Sequence, residues 1–142
     1  MRLRLTKRGD YAVRAMLALV DAESRLLTGP EIARRTGIPV SFLPQVMGDL
    51  VHAGLAEGLQ GRTGGYRLGR PAAEISLLGV VEAVEGDSRR RTCILRGGAC
   101  GSDGTCRVHD AFSSGQDALL DELERASLAS VAQAGRGAAV EA

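Results

Sequence analysis

Cys93, Cys100 and Cys106 fall within fourteen residues, and His109 follows the last of them by three positions. The chain has no other cysteine and one other histidine, His52. Core packing does not explain the cluster, because the segment is broken by Gly97, Gly98, Gly101 and Gly104, which offer little to bury. Thiolates with an imidazole in a Gly-rich loop suit a soft metal ion or an iron-sulfur cluster. Three thiolates fill three coordination positions of iron, and a non-thiolate fourth ligand leaves a weaker bond that a small molecule can displace, as a sensor requires. Cys106 and His109, at i and i+3, can share one helical face. A zinc ion held by three Cys and one His, or a cluster-free thiol switch, would use the same donors. Arg89, Arg90, Arg91, Arg96 and Arg107 flank the thiols and would lower their pKa values, although Arg89 and Arg90 read equally well as a solvated charge run. No oxyanion-stabilising or pocket signature accompanies the Cys-His pair, so an enzyme is not expected.

The chain that must position this loop has 142 residues, 44% hydrophobic, with a formal net charge of +1. That length supports one compact core and an appended helix. No apolar run reaches membrane-spanning length, and the basic amino terminus lacks the apolar stretch of a secretory signal. A cytoplasmic protein without a membrane partner is expected, and in that reducing compartment three cysteines point to metal or redox chemistry rather than a structural disulfide. Charge is asymmetric. Residues 1–70 stand at +5 and residues 71–142 at −4, so the front half can face a polyanion.

The order of elements gives that charge a purpose. Tyr11, Ala12, Ala15, Met16, Ala18, Leu19 and Ala22 recur at helical spacing and predict a first helix over residues 8–22. Thr28, Pro30 and Glu31 form a capping box opening a second helix, which Gly37 stops. Ser41 is expected to cap a third helix, with Pro44 in its first turn, one apolar face of Leu43, Val46, Met47, Leu50 and Val51, and an end at Gly54. Two helices joined by a Gly-containing turn have the form of a helix-turn-helix. Strands at Leu55–Leu59 and Tyr66–Leu68 then flank the glycine-rich turn 60–65, a wing that presents Arg62. A recognition helix suits the major groove, and one arginine suits the narrow minor groove. Ser41, Phe42, Leu43 and Gln45 are the expected base-reading residues, with Gln45 matched to adenine edges; Thr6 and Lys7 are expected at phosphates.

Ser76 predicts the start of a short apolar helix that closes the winged domain's core. A longer helix follows from about Arg107 to Arg125, with Val108, Ala111, Phe112, Leu119 and Leu123 on one face. Such a helix beyond a small domain either pairs with a second copy or folds back on its own domain, and dimerisation is the expectation. The fold class is thus mainly α with a small β-wing. The expected domains are a winged helix-turn-helix DNA-binding domain at 1–86, a cysteine-rich cluster loop at 87–106, a dimerisation helix region at 107–133 and a disordered Gly/Ala-rich tail at 134–142.

Leu5-Thr6-Lys7, Asp10-Tyr11-Ala12-Val13-Arg14-Ala15-Met16-Leu17, the wing Gly64-Gly65-Tyr66-Arg67-Leu68, the Ile75-Ser76-Leu77 helix start and the three-cysteine loop occur in one order. In that combination, from residue 1 to about 133, the chain resembles the winged-helix repressor family that includes IscR and NsrR. The resemblance implies a homodimeric bacterial transcription regulator on double-stranded, pseudopalindromic operator DNA, holding an iron-sulfur cluster that senses iron, nitric oxide or redox state. It implies Cys93, Cys100 and Cys106 as cluster ligands. IscR-like members add a histidine at the position of His109, which implies a 2Fe-2S cluster; NsrR-like members add a first-helix aspartate from the other subunit at the position of Asp10, which implies 4Fe-4S. Both residues are present, and the i, i+3 spacing favours His109 and 2Fe-2S, whereas Asp10 also reads as a first-turn acid stabilised by the helix dipole. The resemblance brings Gly64, Gly65 and Tyr66 into the wing's share of the DNA face. The chain departs from IscR-like members in carrying Pro44 for a glutamate and Gln60 for a wing arginine, a place that Arg62 can fill from two positions later.

Overall fold

The computed structural model describes residues 2–88 and 106–141. Six α-helices and one hairpin occur among them: α1 (Lys7–Asp21), α2 (Gly29–Thr36), α3 (Leu43–His52), β1 (Ala56–Leu59), β2 (Gly65–Leu68), α4 (Leu77–Glu85), α5 (His109–Arg125) and α6 (Leu128–Glu141), with a 3-10 turn at Ala72–Glu74.

The helices begin where side chains can satisfy their first amides. The Thr6 hydroxyl accepts from Gly9 N–H in α1, the Thr28 hydroxyl from Glu31 N–H in α2 and the Ser76 hydroxyl from Gly79 N–H in α4, each cap lying one turn ahead of its donor. Pro30 occupies the first turn of α2, where its missing donor costs nothing, and Gly37 ends that helix. The third helix differs from expectation. The Phe42 N–H donates to the Pro39 carbonyl at 3.0 Å, forming a turn that delays α3 to Leu43, so Phe42 and not Ser41 stands at its cap and no side chain bonds there.

The strands pair antiparallel, Ala56 with Leu68 through Leu59 with Gly65. Leu27, between α1 and α2, exchanges both backbone hydrogen bonds with Tyr66, at 2.9 and 2.7 Å, and so ties the wing to the helical layer. Ala12, Ala15, Met16 and Leu19 of α1, Ile32 of α2, Leu43, Val46, Met47 and Leu50 of α3 and Val80 and Val84 of α4 meet Leu27, Ile38 and Ile75 in one core. Each large side chain removed from water here contributes about 1.5–3 kcal/mol. Leu78 and Val81, spaced for the opposite face of α4, are also buried, and α4 packs on α5.

The helix expected from about Arg107 to Arg125 is present as α5, His109–Arg125, and a further helix, α6, follows it over Leu128–Glu141. The chain breaks at Ala126 and Ser127, where Leu77 N–H donates to Ala126 O at 2.8 Å and Leu128 N–H to Ile75 O at 2.9 Å. Ser127 then caps α6 by accepting from Ser130 N–H, and α6 packs on α1 with Leu128 fully buried in the winged domain's core. Alanine, the best helix former, is frequent enough in 129–139 to carry the helix onward from that anchor. No helix among the described residues is long and apolar enough to cross a membrane.

Candidate functional site

Two exposed elements stand at one end of the winged domain. The α3 amino terminus presents Ser41, Phe42 and Gln45 to solvent, and the wing presents Arg62. An open groove of about 540 Å³ lies between the body of α3 and the wing, bordered by Thr28, Gly29, Val51, Leu59, Arg62 and Tyr66. A reading helix and a cationic loop held apart in this way can enter adjacent grooves of a duplex.

Phe42 is braced edge-on by Tyr11 of α1, with ring centroids 5.7 Å apart and planes at 66°. Leu43, expected among the base-reading residues, is 2% exposed and belongs to the core; the Pro39–Phe42 turn rotates it inward and leaves Phe42 outward. The glycines and tyrosine of the wing are occupied within it. A Cβ at Gly64 would lie 2.1 Å from the Leu59 carbonyl oxygen, and one at Gly65 2.7 Å from that of Leu27, so only glycine lets the hairpin close against both backbones. Tyr66 is half-buried and holds the Leu27 bridge.

Thr6 and Lys7 are exposed at the start of α1. The Thr6 hydroxyl spends an acceptor on capping, yet keeps its own O–H to donate. Sequence reasoning missed two residues that fix this corner. Asp49 of α3 pairs with the Arg8 guanidinium, joining the first turn of α1 to the recognition helix. An acid on a helix meant for a polyanion was the available signal, since it needs a cation beside it. The second, Glu85, accepts from Thr6 N–H at 2.7 Å.

Of the expected metal-ligating residues, Cys93 and Cys100 lie outside the described residues, as do Arg89, Arg90, Arg91 and Arg96. Cys106 is an exposed free thiol immediately ahead of α5, and His109 opens that helix, its N–H donating to the Cys106 carbonyl at 3.3 Å. Cys106 and His109 thus stand one turn apart along the backbone, and three cysteines with one histidine form a donor set that fits iron or zinc. Asp10 lies in the first turn of α1, where its carboxylate receives Arg14 at 2.9–3.0 Å. Arg14 also donates to the Thr36 carbonyl at 3.4 Å, linking α1 to the end of α2.

A helix-turn-helix followed by a hairpin wing that presents Arg62 defines a winged-helix DNA-binding regulator. The chain belongs to the Rrf2 family: residues 5–134 match the family model described as Rrf2, iron-dependent transcriptional regulator. It is 36% identical over 123 residues to Protein aau3 of Rhizobium meliloti (strain 1021), covering 86% of this chain and 80% of that protein. It is 35% identical over 127 residues to the HTH-type transcriptional regulator IscR of Cronobacter sakazakii, covering 89% and 78%. Among solved structures, CymR, the global cysteine regulator of B. subtilis, superposes with a TM-score of 0.79 at 22% identity over 93% of this chain and 98% of that one. T. potens IscR gives 0.77 at 23% identity over 96% and 90%. The chain is a transcriptional regulator and not an enzyme.

Proposed function

We propose that this regulator acts in the cytoplasm as a homodimeric repressor whose affinity for a pseudopalindromic operator is set by an iron-sulfur cluster on Cys93, Cys100, Cys106 and His109. One observation carries the reading. Cys106 lies just ahead of α5 and His109 opens it, and the apolar stripe of that helix is left uncovered: Val108, Ala111 and Leu119 are exposed, Phe112 and Leu123 only half-buried, and α5 has no buried residue. A second copy covering that stripe would place the ligand-bearing turn at a subunit seam, where a change at the ligands alters the spacing of two reading heads. When bound, the cluster would supply a redox-active, displaceable centre. Asp10 is the alternative fourth ligand, with 4Fe-4S, and would have to leave Arg14 to serve.

On DNA, Ser41, Phe42 and Gln45 read bases, Arg62 enters the minor groove, and Thr6 and Lys7 hold phosphates, with Leu43, Gly64, Gly65 and Tyr66 positioning them. The exposed Cys106 thiol favours one second reading, a cluster-free regulator switched by thiol oxidation.

Anaerobic purification with absorption and Mössbauer spectra and iron and sulfide analysis, on native protein and His109→Ala, tests the site. A 2Fe-2S signature altered in the variant is expected. A 4Fe-4S signature indifferent to His109 moves the ligand to Asp10, zinc without sulfide ends the cluster reading, and colourless protein leaves the thiol switch. Equal operator affinity with and without the cluster would remove its regulatory role.

A further inference from the structure

Glu85 is poorly placed for its own helix. It is the last residue of α4, where the carbonyl end of the dipole disfavours an acid. Its carboxylate lies instead over the first turn of α1, the positive end of a different helix, and accepts Thr6 N–H at 2.7 Å. The approach depends on a missing side chain. A Cβ at Gly9 would stand 2.9 Å from Glu85 Oε1, and its three nearest atoms all belong to that carboxyl group. On the other side the same turn is held by Arg8, paired with Asp49 of the recognition helix. The first turn of α1 is therefore clamped between α4 and α3, and exposed Thr6 and Lys7 lie within the clamped stretch.

We propose that Glu85 is a positioning residue for DNA binding, which through the Thr6 amide and the space left by Gly9 fixes the first turn of α1 so that Lys7 meets a phosphate while α3 occupies the major groove. The inference rests on the placement of Thr6 and Lys7 at the DNA backbone. The Thr6–Glu85 bond is exposed, so its role is to set orientation more than to hold the fold together.

Its signature is the salt dependence of binding. Each phosphate contact adds about 0.9 to the slope of log affinity against log salt, irrespective of sequence, so a fluorescein-labelled duplex of mixed sequence serves as the probe. In anisotropy titrations Glu85→Ala should bind about three- to tenfold more weakly, with the slope reduced by about one. Glu85→Gln keeps an oxygen acceptor for Thr6 and should retain the native slope. Gly9→Ala separates position from stability. Alanine favours the helix, so a purely structural contact predicts native or better binding, whereas a displaced carboxylate predicts the slope of Glu85→Ala. Hydrogen exchange at the Thr6 amide, read without DNA, should quicken in both alanine variants. Native slope and affinity in folded Glu85→Ala would overturn the assignment of Glu85 alone, while a native protein that bound no duplex would remove the DNA-face reading and this inference together.

Discussion

Leu128→Ala measures how firmly the carboxyl-terminal helix belongs to the winged domain. Leu128 is 0% exposed, and the backbone beside it is pinned at two points, Leu77 N–H on Ala126 O and Leu128 N–H on Ile75 O. A pinned backbone cannot settle into the space left by the lost methyl groups. The cost should therefore fall in the upper part of the range for buried leucine truncations, about 4 kcal/mol. Against a typical total of about 5–15 kcal/mol this is a large fraction, and at about 2–4 °C per kcal/mol it lowers Tm by roughly 10 °C. Leu119→Ala is the matched control: the same change one helix earlier, at a side chain 42% exposed in the single chain. There truncation should cost no more than about 1 kcal/mol at high dilution. Because Leu119 lies on the stripe assigned to the dimer, its penalty should grow with protein concentration, whereas that of Leu128 should persist when the protein is dilute. Urea unfolding followed by far-UV circular dichroism over a concentration series resolves the two. If Leu128→Ala were no more destabilising than Leu119→Ala in dilute protein, docking of α6 into the core would be refuted.

The wing gives a test of geometry over stability. Gly64→Ala sets a Cβ against the Leu59 carbonyl, so the hairpin must rebuild and operator affinity in anisotropy titrations should fall at least tenfold, or about 1.4 kcal/mol, with the helical core's Tm changed by only a few degrees. Arg62→Ala should weaken binding and lower the salt slope by about one, and an unchanged slope would remove Arg62 from the DNA face. Ser76→Ala, which strips the cap from Gly79 N–H, should cost about 1 kcal/mol in urea unfolding while leaving the DNA contacts in place.

What could be read from the chain was what a few neighbouring residues decide. The Thr28 and Ser76 caps, Pro30, the stop at Gly37, the helical spacing of Ala12, Ala15, Met16 and Leu19, and the turn 60–65 between two short strands act within one helical turn or one hairpin, and all stand as expected. The cap at Ser127, which accepts from Ser130 N–H, is of the same local kind. The helix-turn-helix followed from residue type and order in the same way.

Tertiary structure decided the rest, because those choices rest on contacts between residues distant in sequence. The docking of α6 depends on Ala126 and Leu128 finding Ile75 and Leu77, and the first turn of α1 meets Glu85 at the Thr6 amide and Asp49 at Arg8. The exchange of Leu43 for Phe42 at the surface follows from the turn at Pro39 and from where the core lies when α3 docks. Local chemistry sets what each segment can become. Which face it turns inward, and which charged group stands beside which, is fixed only when segments compete to bury the same apolar surface.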